Sequence, residues 1–230
     1  MISKIANRLH IRLSTALQRY CGLYLYRVLV RRLDPAPREA LAAGIRFAPL
    51  EEAELRAHCA DRRLELTWSS AQRSLARGDI CVGAFDGDIL AGYAWFAFGA
   101  TPESGGVWVD VDSQASYTYR HFVRPSHRGR RLAAGLLHAA DAPSAQRGCS
   151  RCVTLIYTYN RASIRASERS GARTVGYAAC LRLFGRALSW RSPGARRERL
   201  RFFRPQSNFR PFSLAMRRLA SMLAATTSRN

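Results

Sequence analysis

The chain has almost no lysine and very few acidic residues near its ends. Residues 1–33 contain seven basic side chains and no carboxylate, and residues 185–230 contain eleven arginines with Glu198 as the only acid. The stretch between them has 19 basic and 15 acidic residues. The formal net charge of +21 therefore comes mainly from the two flanks. Every basic residue except Lys4 is arginine.

Long apolar runs are also absent, which excludes a typical membrane-spanning helix. The apolar segment 89–98 is too short to span and fits a buried strand. Arg12 and Arg19 interrupt the N-terminal apolar pattern, so we do not expect a secretory signal there. An organellar transit peptide shares its Arg-rich, acid-free character, but the apolar pattern continues to Leu29 without a cleavage-like break. We therefore favour a retained helix in a cytoplasmic protein.

Close cysteine pairs are scarce. Cys149 and Cys152 form the only close pair among six cysteines, with no second pair or histidine partner nearby. A structural zinc site usually draws four ligands from two such groups. We predict no metal site and expect reduced thiols.

The length of 230 residues suits one well-buried core with appendages. We expect a basic amphipathic N-terminal extension over residues 1–36, a domain over 37–186 and a basic tail over 187–230. The Pro-rich segment 34–37 marks the first boundary.

The N-terminal segment has apolar residues at helical spacing. They are Ile2, Ile5, Leu9, Leu13, Ala16, Leu17, Tyr20 and Tyr24, with Lys4, Arg8, Arg12 and Arg19 mostly off this stripe. Such a helix can bind an anionic membrane surface, such as the inner membrane face, and the basic tail can bind the same surface. The alternative is packing on the domain or on a partner subunit, as in a homodimer. Nucleic acid is a weaker candidate for the tail, because no nucleic-acid-binding fold accompanies it.

The segment 117–133 runs from a strand pattern into a basic helix start. Tyr117, Tyr119, His121 and Val123 alternate with other residues, and Pro125 ends the strand. Leucines at helical spacing follow from Leu132. The first amides of a helix lack internal partners and lie at the positive end of its dipole. Arginines beside them add charge-assisted bonds, so this start predicts a diphosphate-binding loop.

The remaining pattern predicts further strands and helices around this segment. Strands are expected at 45–48, 80–85, 89–98, 107–112, 153–157 and 174–184, and helices at 51–61, 69–77 and 160–170, with a loop at 101–106. Pro143 is expected to split the helix that begins near Arg128 at about Asp141.

These motifs resemble the GNAT superfamily of N-acetyltransferases. In that family a strand ending Val-x-Pro leads into R/Q-x-x-G-x-G/A, and here Val123-Arg-Pro125 precedes Arg128-Gly-Arg-Arg-Leu-Ala133. A later strand followed by Asn160-Arg-Ala-Ser163 also matches the family. The resemblance implies an α/β fold with a mixed central sheet flanked by helices, and acetyl-CoA as the acyl donor. The residues it implies for donor binding are Val123, Arg128, Gly129, Arg130, Arg131, Leu132, Ala133, Asn160 and Ser163.

Several family positions are changed. Arg131 occupies the place of the usual first glycine, Ala172 that of a Phe, and Ser167 that of a Tyr that protonates the leaving thiolate. The resemblance also implies that the strand ending at Val123 often carries a Glu. Here we expect no carboxylate on that face.

We take His121 as the replacement base, because its ordinary pKa near 6.5 suits that role. A structural histidine is about equally consistent with the pattern. Tyr119 is a candidate acid or a packing residue. Asp110 and Asp112 are candidates for binding an amine, with an exposed strand edge as the alternative.

The resemblance implies direct acetyl transfer to a primary amine of unknown identity, without a covalent enzyme intermediate. A long-chain N-acyltransferase is the alternative within the same class. The competing hypothesis is a GNAT-fold regulatory module that binds acyl-CoA but catalyses weakly or not at all.

Overall fold

Helices and strands alternate through most of the chain in a computed structural model that describes residues 2–34, 42–103, 106–183 and 186–204. The helices are α1 (Ile2–Cys21), α2 (Glu52–His58), α3 (Trp68–Ala76), α4 (Leu132–Ala139), α5 (Asp141–Gln146), α6 (Arg161–Arg169) and α7 (Pro193–Arg197). The strands are β1 (Leu23–Arg32), β2 (Ile45–Pro49), β3 (Ile80–Asp86), β4 (Ile89–Ala97), β5 (Thr101–Pro102), β6 (Trp108–Asp110), β7 (Ala115–Val123), β8 (Arg151–Tyr157), β9 (Arg173–Leu183), β10 (Arg186–Arg191) and β11 (Arg201–Phe203).

The described residues form one large mixed sheet and one small sheet. The large sheet has the strand order β10-β9-β1-β8-β7-β4-β3-β2, and the small sheet has the order β11-β6-β5. Neighbouring strands of the large sheet are antiparallel except for β7 and β8, which are parallel. The parallel pair lies at the centre, so the segment that carries the predicted diphosphate loop leaves the middle of the sheet.

Helices cover both faces of the large sheet. On one face α4 packs on β2, β3 and β4 through Leu132 and Leu136, and α6 packs through Ile164 against Leu29 and Ile156. On the other face Leu55 of α2 and the segment after it cover Trp95, while α7 and the small sheet cover Tyr117. This two-faced packing confirms the predicted α/β class with a mixed central sheet.

The boundary expected at residue 36 does not agree with the structure. Gly22, with φ +62°, follows the end of α1, and residues 23–32 then form β1 between β9 and β8. Tyr24 is therefore in a strand and not on the helical stripe. Apolar residues occupy both faces of β1, so periodicity alone did not separate it from a continuing helix.

The boundary expected at residue 186 also differs. Residues 186–191 form β10 at the edge of the large sheet, and β11 pairs with β6 in the small sheet. Between them, α7 packs Ala195 into the core. The predicted tail thus begins later than expected, and its residues 205–230 lie outside the described part.

A buried ion pair joins β1 to α5. Arg31 and Asp141 are both almost fully buried, and Arg31 Nη1 donates to Asp141 Oδ2 at 2.7 Å. A second contact joins Arg31 Nη2 to Asp141 Oδ1, and Arg31 Nη2 also donates to the Leu137 carbonyl at 2.9 Å. Burial alone would raise the pKa of Asp141, but hydrogen bonds from His138 and Arg31 lower it below its ordinary value.

The predicted break in the helix near Asp141 is confirmed. α4 ends at Ala139 and α5 begins at Asp141, two residues before Pro143. None of the helices in the described ranges is long and apolar enough to cross a membrane.

Candidate active site

A slot opens between the two parallel strands at the centre of the sheet. β7 pairs with β8 only from Ala115 to Thr118, opposite residues 151–154. Both strands continue, β7 to Val123 and β8 to Tyr157, without pairing to each other in the described structure. The facing backbone edges beyond Thr118 therefore have donors and acceptors available for an extended ligand.

The predicted diphosphate loop lies between β7 and α4. Gly129 has φ +84°, and Arg131 is the N-cap of α4 with φ +60°. Arg130 Nη1 donates to Asp86 Oδ2 at 2.5 Å, and this hydrogen bond lowers the pKa of Asp86. Arg128 Nε approaches the Val123 carbonyl at 3.4 Å. The arginines at 128, 130 and 131 are exposed at the start of an eight-residue helix, an arrangement that suits a diphosphate.

The left-handed conformation at Arg131 explains why the family prefers glycine there. A residue with a Cβ pays about 1–2 kcal/mol in this region. The Arg131 side chain is exposed and makes no hydrogen bond or ion pair within the described ranges. Arg131 thus adopts a backbone conformation that favours glycine and adds a cation beside the first amides of α4.

Asn160 caps the next helix beside the slot. Its Oδ1 accepts a hydrogen bond from the Ser163 amide at 3.2 Å, and α6 begins at the following residue. This bond satisfies one of the amides left open at a helix start. Contact of Asn160 and Ser163 with an acyl donor stays a prediction.

A β-bulge changes which residues of β7 share a face. Tyr93 pairs with Phe122 and Trp95 pairs with Tyr119, so one residue of β4 faces two of β7. Arg120 at this bulge has φ +47°. Phe122, stacked on Tyr93 at 5.6 Å, therefore takes the face that we assigned to His121. The predicted placement of His121 beside Tyr119 was wrong, because the bulge shifts the alternation by one residue.

His121 makes no hydrogen bond with any described residue, and it is exposed to solvent. Its pKa is lowered to about 4 by desolvation, although solvent around an exposed ring opposes that shift. The imidazole is mostly neutral at pH 7 with either the lowered or the ordinary pKa. A role for His121 as the base stays a prediction, because the bulge places its side chain on a different face of β7 from Tyr119.

β7 itself carries no carboxylate, but two carboxylates reach its tyrosine face from other segments. Tyr117 donates to Glu103 Oε2 at 2.6 Å, and Tyr119 donates to Asp79 Oδ2 at 2.5 Å. The two tyrosine rings stack with centroids 6.2 Å apart. Both acids come from segments distant in sequence from β7, so the pattern of that strand gave no signal of them.

Asp79 lies in a buried hydrogen-bond network at the start of β3. Arg77 Nη2 approaches its Oδ2 at 2.6 Å, and Ser74 Oγ lies 2.9 Å from the Tyr119 hydroxyl. Burial raises the pKa of Asp79 to about 6, although Arg77 and Tyr119 act in the opposite direction. The pKa of Tyr119 is raised by desolvation and by Asp79. The pair is thus an ionisable carboxylate with a protonated phenol at neutral pH.

The two aspartates considered for amine binding lie at the other end of β7. Asp110 is buried and pairs with Arg201 at 2.7 Å, while Asp112 pairs with Arg199 at 3.2 Å. They line a surface pocket of about 410 Å³ with Arg191. Both acids precede β7, whereas the slot begins after Thr118. Asp110 therefore does not lie at the slot, where an amine would react, and it is not on an exposed strand edge either.

A buried serine occupies the position of the tyrosine that the resemblance implies as proton donor to the leaving thiolate. Ser167 is almost fully covered on α6, and its carbonyl accepts from the Ser170 hydroxyl at 2.6 Å.

A metal centre is not evident, since the described ranges contain no group of three or more His, Cys, Asp or Glu side chains placed to hold an ion.

Comparison with family models decides the classification. The model of the acetyltransferase (GNAT) family matches residues 45–172, more than half of the chain. The chain belongs to the GNAT acetyltransferase family. The predicted N-acetyltransferase family is thereby confirmed, and the slot and the arginine loop both fall within the matched residues. Comparison with curated protein sequences gives no match.

Several solved GNAT structures are similar to this chain at low sequence identity. An acetyltransferase of the family from Novosphingobium aromaticivorans is 18% identical with a TM-score of 0.50, covering 80% of this chain and 66% of its own. A GCN5-related N-acetyltransferase from Sphaerobacter thermophilus is 16% identical with a TM-score of 0.47, covering 86% and 58%. YncA from Salmonella typhimurium, solved with acetyl-CoA, is 17% identical with a TM-score of 0.42, covering 73% and 98%. The chain thus spans less than two thirds of the length of the first two.

Proposed function

We propose that this GNAT protein transfers an acetyl group from acetyl-CoA directly to a primary amine. The observation that carries the proposal is the slot between β7 and β8, which leads to the arginine-rich start of α4. An extended acyl donor would pair with the open strand edges while its diphosphate lies on the first amides of α4.

The donor-binding residues divide into backbone and side-chain contributions. The backbone of Tyr119–Val123 supplies hydrogen-bonding groups along the slot, and an N–H there would polarise the thioester carbonyl. Arg128 and Arg131, both exposed at the start of α4, would neutralise the diphosphate. Arg130 already bonds to Asp86, so we expect it to contribute less unless that ion pair opens.

The amine proton leaves through the Tyr119–Asp79 pair in this proposal. The amine nitrogen attacks the thioester carbon, the carbon–sulfur bond breaks, and the thiolate departs. The Tyr119 oxygen takes the proton from nitrogen as the phenolic proton passes to the Asp79 carboxylate. Asp79 suits this role because its raised pKa lies closer to neutral pH than that of an ordinary carboxyl. The thiolate takes its proton from solvent, since Ser167 replaces the usual tyrosine.

The two alternatives differ from this proposal in the donor or in the chemistry. A long-chain N-acyltransferase would prefer a longer acyl-CoA in the same slot. A regulatory module would bind acyl-CoA without transferring its acyl group. The lack of a carboxylate on β7 itself still motivates the module hypothesis, whereas the proton route through Asp79, which reaches the face of β7 from another segment, supports the enzyme.

An equilibrium titration with acetyl-CoA tests the donor site. Arg128→Ala is expected to weaken binding roughly tenfold to a hundredfold, because a charge-assisted contact to the diphosphate is lost. Arg173→Ala removes the same charge from an exposed position at the start of β9 and is expected to change the affinity little.

Parallel titration with a long-chain acyl-CoA distinguishes acetyl from longer donors. Equal weakening by Arg128→Ala and Arg173→Ala would show that only overall charge attracts the donor. Failure of the unmodified protein to bind any acyl-CoA would contradict the proposed donor site.

A further inference from the structure

Three residues of the apolar stripe of α1 face away from the domain. Leu9, Leu13 and Tyr20 recur on one side of the helix and are 66%, 59% and 80% exposed. The side that faces the protein instead contains Ser14, which is buried, and His10, whose Nε2 lies 3.4 Å from Thr158 Oγ1. The alternative in which the stripe packs on its own domain therefore does not hold for these residues.

A second apolar surface lies beside α1 on the same face of the sheet. Ser14 and Leu17 of α1 line one small pocket with Leu23 and Leu25 of β1. Leu23 is in register with Leu181 and, one strand further, with Leu188, while Leu25 is in register with Ala179 and then Trp190.

Leu188 and Trp190 belong to the edge strand β10 and are 55% and 54% exposed. They lie two strands, about 10 Å, from the residues beneath α1. The stripe of α1 and these two side chains together form what we call the α1–β10 surface.

Charge indicates what covers the α1–β10 surface. No acidic residue occurs in α1, β1, β9 or β10, and the exposed Arg12 and Arg19 lie on α1 beside the apolar stripe. An exposed stripe of leucine and tyrosine flanked by arginines is typical of a helix that lies in a membrane interface. Trp and Tyr are favoured there because their rings have both apolar and polar parts.

Two other occupants conflict with this charge. A second copy meeting the same surface would bring equal positive charge against it. The chain's own residues 205–230 contain arginines and no acid, so they offer no complementary charge either. An anionic lipid surface complements both the apolar and the basic parts.

We propose that the α1–β10 surface docks this protein peripherally on an anionic membrane. Leu9, Leu13, Leu188 and Trp190 would enter the interface, while the arginines of α1 contact lipid headgroups. Because His10 holds α1 close to Thr158, just after β8, docking would place the membrane near the end of the slot. This inference concerns a surface separate from the acetyl-transfer chemistry and does not depend on it.

Vesicle flotation of the full-length protein tests the docking. One set of vesicles contains phosphatidylcholine alone, and the other also contains phosphatidylglycerol. The unmodified protein is expected to float with the anionic vesicles, less so at high salt, and to remain unbound with the neutral ones. Leu13→Asp is expected to lower anionic binding at least tenfold, because a charge replaces a side chain that enters the interface.

Thr15→Asp is the matched control. It adds the same charge to the same helix at an exposed position off the stripe and close to Arg12 and Arg19, so it is expected to lower the binding clearly less than Leu13→Asp does. Acetyl-CoA affinity and circular dichroism establish that each variant is folded.

Equal loss in both variants, or equal binding of the unmodified protein to both kinds of vesicle, would overturn the proposal. So would a dimer in sedimentation without lipid that Leu13→Asp abolishes, because that result would assign the surface to a second copy. A Trp190→Phe variant gives an independent readout, since the blue shift of tryptophan fluorescence on anionic vesicles should largely disappear in it.

Discussion

Asp79→Asn is expected to lower kcat by roughly 10²-fold or more, the usual contribution of a positioned proton acceptor. Asparagine keeps the size of the side chain and can still accept a bond from Tyr119, but it cannot take up the proton. Steady-state turnover with saturating acetyl-CoA measures the effect, and the affinity for acetyl-CoA should be unchanged. Tyr119→Phe should produce a comparable loss. Full turnover in both variants would remove this pair from the mechanism.

The pH dependence gives a second readout of the same pair. Because the pKa of Asp79 is raised to about 6, kcat should fall about tenfold per pH unit below that value, and Asp79→Asn should lose this dependence. A carboxyl whose folded-state pKa is raised stabilises the fold below its unfolded pKa and loses that contribution as pH rises through about 6. Titration of Asp79 therefore does not unfold the protein at acid pH. A fall in kcat below about pH 6 therefore reflects the catalytic role of Asp79 and not unfolding.

Arg31→Met is expected to reduce the free energy of unfolding by about 3–5 kcal/mol, because it leaves Asp141 charged and buried without its partner. Urea denaturation followed by circular dichroism measures the change. The double variant Arg31→Met with Asp141→Leu is the control, and it should recover much of the loss because no uncompensated charge remains. A single variant as stable as the unmodified protein would show that the pair is not energetically important.

The pH dependence of this ion pair has the opposite sign to that of Asp79. Hydrogen bonds from His138 and Arg31 hold the pKa of Asp141 below its ordinary value despite burial. Its contribution to stability is therefore present above the unfolded pKa near 3.9 and is lost as pH falls through the lowered folded value. The difference in stability between the unmodified protein and the double variant should shrink below pH 4.

Local patterns along the chain were sufficient to predict the strand, loop and helix that form the proposed donor site. The strand that ends before Pro125, the arginine loop and the start of α4 lie within about twenty residues, so sequence alone linked them to diphosphate binding. The capped helix after β8 was equally local. Its Asn160 N-cap lies where the helix start signal placed it.

Features that depend on contacts between distant segments were missed. Asp79 and Glu103 reach the tyrosine face from other elements, and no spacing along β7 indicates them. The apolar pattern of β1 is also that of a continuing helix, because both faces of the strand are buried. Only its pairing with β8 and β9 in the complete sheet distinguishes it from a helix.

The β-bulge at Arg120 did have a sequence signal. Gly92 lies inside an otherwise apolar strand, which often marks a bulge or a close backbone approach. A Cβ built on Gly92 would lie 2.7 Å from the Phe122 carbonyl, so glycine allows β4 to approach β7 at this bulge. Gly92 is therefore an argument from the sequence against the simple alternation that places His121 on the same face as Tyr119.

The most direct test of acetyl transfer is amine-dependent release of CoA from acetyl-CoA by the unmodified protein. A panel of primary amines, including amino sugars, amino acids and peptide N-termini, is incubated with acetyl-CoA, while free thiol and product mass are followed. The account predicts that at least one amine class gives CoA and N-acetylated product in equal amounts. Tight binding of acetyl-CoA with no release above background for any amine would contradict it and favour the regulatory module.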